Sequence, residues 1–169
     1  MLTVRAETAD DIEAVRRVNE LAFGRVEEAA LVDALRASGA GRVSLVAVED
    51  GRVVGHILFS PVTVESGAGD WGAFALAPMA VLPERQGRGV GSALVREGLK
   101  ECLRLGHEVV FVLGHADYYP RFGFRPAARA GLGCEYPVPE ENFMVAELSP
   151  GALAGRTGLV RYAPEFGAV

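Results

Sequence analysis

The chain has 169 residues, half of them hydrophobic and 23% charged, which suits one globular domain and excludes intrinsic disorder and collagen-like structure. Its 22 acidic and 17 basic residues leave a formal charge of −5, so no basic face is offered to nucleic acid or anionic lipid. The longest apolar run, Ala73 to Leu82, is 10 residues with Pro78 inside it, far short of a membrane span.

Leu2 to Ala6 reads as a short strand. Thr8, with Asp11 three residues on, is a helix-start signature ahead of apolar positions at Ile12, Val15, Val18 and Ala22, and Phe23-Gly24 closes that helix. A second helix is expected from about Glu27 to Ala37, with Leu31 and Leu35 on its buried side and a stop at Ser38-Gly39. Val43 to Glu49 and Arg52 to Val64 are β-rich on either side of the turn Asp50-Gly51. Ser66 to Asp70 then leads into a third strand, Trp71 to Val81.

A helix follows from about Val90 to Leu105, with Leu94, Val95, Leu99, Cys102 and Leu103 on its apolar side and Gly106 ending it. Val109 to Leu113 is continuously apolar, as a buried parallel strand is. Tyr118 to Phe122 reads as a short helix, and strands are expected at Phe124, Phe143 to Leu148 and Leu159 to Tyr162. The pattern predicts an α/β fold in a single domain over residues 1–169: a mixed, mostly antiparallel twisted sheet with about four helices.

Between the third strand and the long helix stands Gln86-Gly-Arg-Gly-Val-Gly91. Glycines at such a turn let backbone amides approach an anion, and the free N–H groups of the first helical turn point at it. Arg88 adds a charge to the same place. A Walker loop needs Gly-Lys-Ser/Thr, yet the only lysine is Lys100, inside the helix. A dinucleotide fingerprint needs glycine where Ser92 stands, and should follow the first strand of a βαβ series. Pro78 cannot donate to a ladder, so its strand is expected to bulge or part from a neighbour there. The backbone groups of Met79 to Val81 are then free for a ligand with a pyrophosphate and an amide arm, and coenzyme A is such a ligand.

The stretch Leu76 to Leu94 resembles the acetyl-CoA motif of the GNAT acetyltransferases, Gln/Arg-x-x-Gly-x-Gly/Ala, and Tyr119-Pro-Arg-Phe-Gly-Phe124 resembles that family's Tyr-x-x-x-Gly-Phe element. The likeness covers about residues 3–148, and the segments Phe111 to Pro126 and Gly158 to Tyr162 are most similar to its YhbS-like subgroup. The resemblance implies a cytoplasmic acetyl-CoA-dependent N-acetyltransferase with a bulged, splayed central strand. Acetyl would pass directly to a small-molecule or peptide amine through a tetrahedral intermediate. It implies that Met79, Ala80 and Val81 bind the pantetheine arm, that Gln86, Gly87, Arg88, Gly89, Val90, Gly91 and Ser92 hold the pyrophosphate, and that Tyr119 protonates the departing thiolate. The alternatives are a non-catalytic acyl-CoA-binding or sensing module and, less in keeping with Ser92, another nucleotide-binding α/β domain.

Many relatives carry a glutamate on the strand leading to the CoA motif, but Gly72 to Val81 holds no carboxylate. Glu27, Glu28, Glu65, Asp70, His56 or a water chain remain as routes for the proton. The resemblance places the acceptor between Phe23–Glu28 and the stretch 131–142, where Glu135, Glu140 and Glu141 join Glu27 and Glu28 as acids suited to a cationic amine. Trp71 reads either as a wall of that pocket or as packing. His107, His115 and Asp117 lack metal-ligand spacing, so no metal is expected. Cys102 lies on an apolar helix face and Cys134 in a glycine-rich loop, with no CxxC or disulfide framework. The charged N-terminus, with Arg5, Glu7, Asp10 and Asp11, is not a signal peptide. Family members are often dimers, and the apolar C-terminal strands offer one way for two copies to pair.

Overall fold

Asp50 and Gly51 take φ of 52° and 76°, the left-handed pair that a two-residue hairpin turn requires. The computed structural model describes residues 1–168. In chain order it comprises β1 (Leu2–Ala6), α1 (Ile12–Phe23), α2 (Glu27–Ser38), β2 (Val43–Glu49), β3 (Arg52–Glu65), β4 (Trp71–Val81), α3 (Val90–Arg104), β5 (Val109–Leu113), β6 (Arg125–Pro126), β7 (Leu132–Cys134), β8 (Phe143–Glu147) and β9 (Gly158–Arg161). The fourth helix expected near Tyr118 is a single 3₁₀ turn, Tyr119–Phe122, which Gly123 ends at φ 95°.

β1 to β4 form an antiparallel meander. α3 then crosses over so that β5 lies parallel to β4, and β8 and β6 extend the sheet beyond it. β9 runs between the far end of β3 and the short β7. Both edges of β9 are thus used within the chain at Leu159 and Val160, which leaves no ladder edge there for a second copy.

The site-forming irregularity lies in β4. Ile57 of β3 faces Met79, but Phe59 faces Leu76, so Ala77 and Pro78 together oppose Leu58 in a bulge. On its other edge β4 is paired to β5 only at Phe74, Ala75 and Leu76. Beyond Leu76 the two strands diverge, as a proline in that strand predicts.

Helices cover both faces of the sheet. Val15, Leu31, Val32 and Leu35 of α1 and α2 pack against Val46 and Leu58 on one face, and α3 packs on the other. Two glycines set how closely α3 approaches. A Cβ at Gly55 would lie 2.9 Å from both Val90 and Leu94, and one at Gly98 would lie 2.3 Å from the Phe59 ring. Gly98→Ala in a helix interior is ordinarily stabilising by about 1 kcal/mol. Here the ring it meets is fully buried, and overpacking is expected to dominate. The variant should lose about 1–3 kcal/mol of stability in urea titration, and a gain would refute this packing.

Candidate active site

Where β4 leaves β5 a cleft of about 970 Å³ opens, with residues 76–81 lining it. The Leu82 N–H donates to the Val54 carbonyl at 2.9 Å. Counting back along the strand, Ala80 turns its backbone groups into the β3 ladder, while Met79 and Val81 turn theirs toward the cleft. Gln86 marks the same direction, for its Nε2 donates to the Val81 carbonyl at 3.0 Å. Of the three strand residues singled out from the sequence, Met79 and Val81 thus present backbone groups, and Ala80 presents its surface.

The start of α3 borders the same opening. Gly87 and Gly89 take φ of 74° and 85°, which brings the loop round with no side chain in the way. Gly89 caps the helix without a side-chain hydrogen bond, and the first intrahelical N–H is that of Ala93, donating to Gly89 O at 3.0 Å. The N–H groups of Val90, Gly91 and Ser92 precede it and have no acceptor in the helix. Together with the helix dipole they make an anion-binding end. Gln86, Gly87, Gly89, Gly91 and Ser92 line the cleft. Arg88 does not: its side chain is exposed to solvent. Val90 sends its side chain into the core, so only its amide serves this end.

Tyr118 and Tyr119 flank the same opening. Tyr118 Oη lies 3.2 Å from Ser92 Oγ, and the Arg121 guanidinium stacks 4.6 Å from the Tyr118 ring centre. The Tyr119 ring meets Tyr118 and Phe124 edge to face at 5.1 and 5.7 Å. Gly114 is a glycine because a Cβ there would lie 2.4 Å from that ring. Burial pushes the Tyr119 phenol up to about 12, so it holds its proton at neutral pH. Tyr119 is both a packed core aromatic and a lining residue; the two readings are compatible.

The carboxylates sort cleanly. Glu28 lines the cleft and is 7% exposed, and among the described residues that line the cleft it is the only acid. Glu27, Glu140 and Glu141 are exposed outside it. Glu65 pairs with Arg161 at 2.9 Å, Asp70 accepts from the Ser66 N–H at 3.2 Å, and Glu135 accepts from the Tyr162 N–H. Trp71 is packing: its Nε1 donates to Thr157 O at 3.3 Å and Arg156 covers its ring at 5.1 Å. His107 stacks on Phe74 at 3.8 Å. The Cys102 thiol is pushed by burial up to about 12, so it is inert.

His115, Tyr136, Tyr162 and Phe166 line the cleft; of these only Tyr136 falls in a stretch, 131–142, that the sequence marks for the acceptor. No helix among the described residues is long and apolar enough to cross a membrane, and no metal-binding cluster occurs among them.

The arrangement is that of an acyl-CoA-binding α/β domain. The model of the acetyltransferase (GNAT) domain matches residues 3–127, and the chain belongs to that family. It is 37% identical over 166 residues to the uncharacterized N-acetyltransferase YhbS of Escherichia coli K12, covering 98% of each chain. It is 44% identical over 144 residues to the uncharacterized N-acetyltransferase YjhQ of the same strain, covering 83% of this chain and 77% of that one. The crystal structure of E. coli YhbS in complex with CoA superposes with a TM-score of 0.92 at 37% identity, over 98% of this chain and 92% of the other. A GNAT acetyltransferase from Brucella melitensis in complex with acetyl-CoA superposes with a TM-score of 0.81 at 37% identity, over 98% of each chain.

His56, a candidate base by sequence, is fully buried outside the cleft. Asn19 Nδ2 donates to Val15 O at 3.0 Å and approaches His56 Nδ1 at 3.3 Å, which makes Nδ1 the acceptor. His56 Nε2 then carries the hydrogen toward Ser44 Oγ at 2.9 Å, and Ser44 donates onward to Glu7, which Arg36 holds. Burial pushes this imidazole down to about 3, with Arg36 adding to the effect. An unfolded histidine titrates near ~6.5, so between pH 6.5 and 3 the unfolded chain binds a proton that the folded chain refuses. Stability from this group is complete above the upper value and lost as pH falls. Asp11, held at about 2 chiefly by Arg5, adds its own loss only below about pH 4. Urea titrations between pH 6.5 and 4.5 should show a further shift of about tenfold in the unfolding equilibrium per pH unit, approached as pH drops below the upper value. His56→Gln should flatten that slope, and an unchanged slope would contradict the assignment.

Proposed function

We propose that this chain is an acetyl-CoA-dependent N-acetyltransferase, acting as one domain over residues 1–169 and working in the cytoplasm. One observation carries the reading: β4 parts from β5 beside the start of α3, whose first N–H groups no side chain caps. The pyrophosphate of CoA offers oxygens to the N–H groups of residues 90–92. Its pantetheine arm carries amides that match the open backbone groups of Met79 and Val81, as an added strand does. Both cysteines are free thiols, which suits a reducing compartment.

Bound acetyl-CoA supplies a thioester, on which a neutral amine forms a C–N bond through a tetrahedral intermediate before the C–S bond breaks. A cleft-facing N–H on β4, at Met79 or Val81, holds the developing oxyanion, and one such donor is worth about 3 kcal/mol of barrier. Tyr119 presents a phenol that is neutral at pH 7 to the departing sulfur. With that phenol near 12 and a thiol near ~8.5, full transfer is uphill. Tyr119 therefore holds the thiolate by a hydrogen bond and passes its proton as it draws another. Of the two protons that an ammonium loses in becoming an amide, one ends on sulfur and the other in solvent. No covalent enzyme intermediate is needed.

Thermal unfolding tests the donor. CoA or acetyl-CoA at 100 times its dissociation constant should add about 2.7 kcal/mol, with NAD and ATP inert; no shift with either CoA species would sink the reading. Tyr119→Phe keeps the ring packing and should cut kcat by about 100-fold or more, with acetyl-CoA stabilisation retained. An unchanged kcat would remove Tyr119 from the reaction. Stabilisation by acetyl-CoA without CoA release on any amine would make the chain a binding module.

A further inference from the structure

The end of the cleft away from α3 is walled by carbon. Phe23, Leu31, Tyr136, Tyr162 and Phe166 line it around one carboxylate, Glu28. Three of these rings form a cluster, with Tyr136 and Tyr162 centred 5.6 Å apart and Tyr162 and Phe166 5.1 Å apart. Phe166 also packs onto the apolar cluster that contains Leu31, which ties the C-terminal segment to the helix carrying Glu28. Arg25 grips both Glu28 oxygens, its Nε at 2.9 Å from one and its Nη2 on the other. A carboxylate has about four acceptor positions and a bidentate guanidinium uses two, so Glu28 is oriented and still able to accept. Tyr162 Oη is enclosed and has no hydrogen-bond partner among the described residues.

On the acetyltransferase reading of this site, we infer that the acceptor is a lipophilic primary monoamine lacking a carboxylate. Its ammonium docks on Glu28, and its apolar body lies against Tyr136, Tyr162 and Phe166. Competing amines fit less well. A free amino acid brings a carboxylate to an end whose nearest cation, Arg25, is already paired. The arginines that do line the cleft belong to the α3 end: Arg85 pairs with Glu49 at 2.6 Å and Arg121 stacks on Tyr118. A polycationic aminosugar needs several acids, and one is present. A peptide brings an N–H and a C=O at each residue to rings that cannot pair them.

The test measures CoA release with acetyl-CoA and 2-phenylethylamine, hexylamine, phenylalanine, kanamycin or a tripeptide. Either monoamine should exceed the other three by about tenfold or more in kcat/KM. Glu28→Gln should raise the KM for the monoamine about tenfold while the KM for acetyl-CoA is unchanged. Phe166→Ala leaves the Glu28–Arg25 pair intact and should weaken phenylethylamine more than methylamine, and this comparison decides if Glu28→Gln fails to fold. Preference for the amino acid, the aminosugar or the peptide would overturn the assignment. So would a complete lack of monoamine turnover while acetyl-CoA still stabilises the protein, an outcome that spares the CoA-binding reading. Loss of stabilisation by acetyl-CoA would take both readings down together.

Discussion

β4 stays paired with β3 on both sides of the Ala77–Pro78 bulge but gives up its pairing with β5 after Leu76, and the site follows from that divergence. A buried strand edge with unmet N–H and C=O groups is costly, about 1–3 kcal/mol for each group left dry. Such an edge persists only where water or a ligand reaches it. Here the open edge belongs to Met79 and Val81, it faces a cleft, and Gln86 already satisfies one of its carbonyls. The gap between the strands is confined by rigid neighbours: α3 is seated against β3 through Gly55 and Gly98, and Tyr119 is seated against Gly114. A strand gap and a helix N-terminus are weak binding features singly. Held side by side by close packing, they match the two chemically distinct halves of coenzyme A.

The rest of the fold serves that geometry unequally. The network running from Asn19 through His56 and Ser44 to Glu7 and Arg36 is polar, with Asn19 and His56 fully buried, yet it lies away from the cleft. Its role is to join α1 and α2 to β2 and β3, the elements that fix where Glu28 stands. The C-terminal segment acts from the other side, with β9 anchoring it to β3 so that Tyr162 and Phe166 close the aromatic end.

The local signals were legible because local chemistry causes them. Asp50-Gly51 gives a tight hairpin, Gly87 and Gly89 a left-handed loop, and Pro78 a bulge, each through constraints carried by one or two residues. Arg88 stands outside the cleft lining, because the direction of a side chain on a turn is not encoded by spacing. His56 looked like a candidate base because a strand pattern does not reveal which face Asn19 covers. Tyr136, Tyr162 and Phe166 lie at least 113 residues from Phe23 in sequence and meet it only through tertiary folding. No periodicity links them: the resemblance marks the stretch 131–142 that holds Tyr136, while Tyr162 and Phe166 join that end of the cleft only in the structure. Among five acids named near the acceptor, Glu28 alone lines the cleft: Glu27, Glu140 and Glu141 are exposed and Glu135 is half-buried and held by the Tyr162 N–H.

On the proposed function, the cleft-facing amides of β4 and the first-turn amides of α3 hold the donor. Backbone amide NMR with increasing acetyl-CoA tests this directly, because each N–H reports separately. Met79 and Val81, together with Val90, Gly91 and Ser92, should shift and gain protection from hydrogen exchange, while Ala80, already in the ladder to β3, should gain little. Protection elsewhere in the chain, with the amides of Met79 and Val81 exchanging as before, would contradict it.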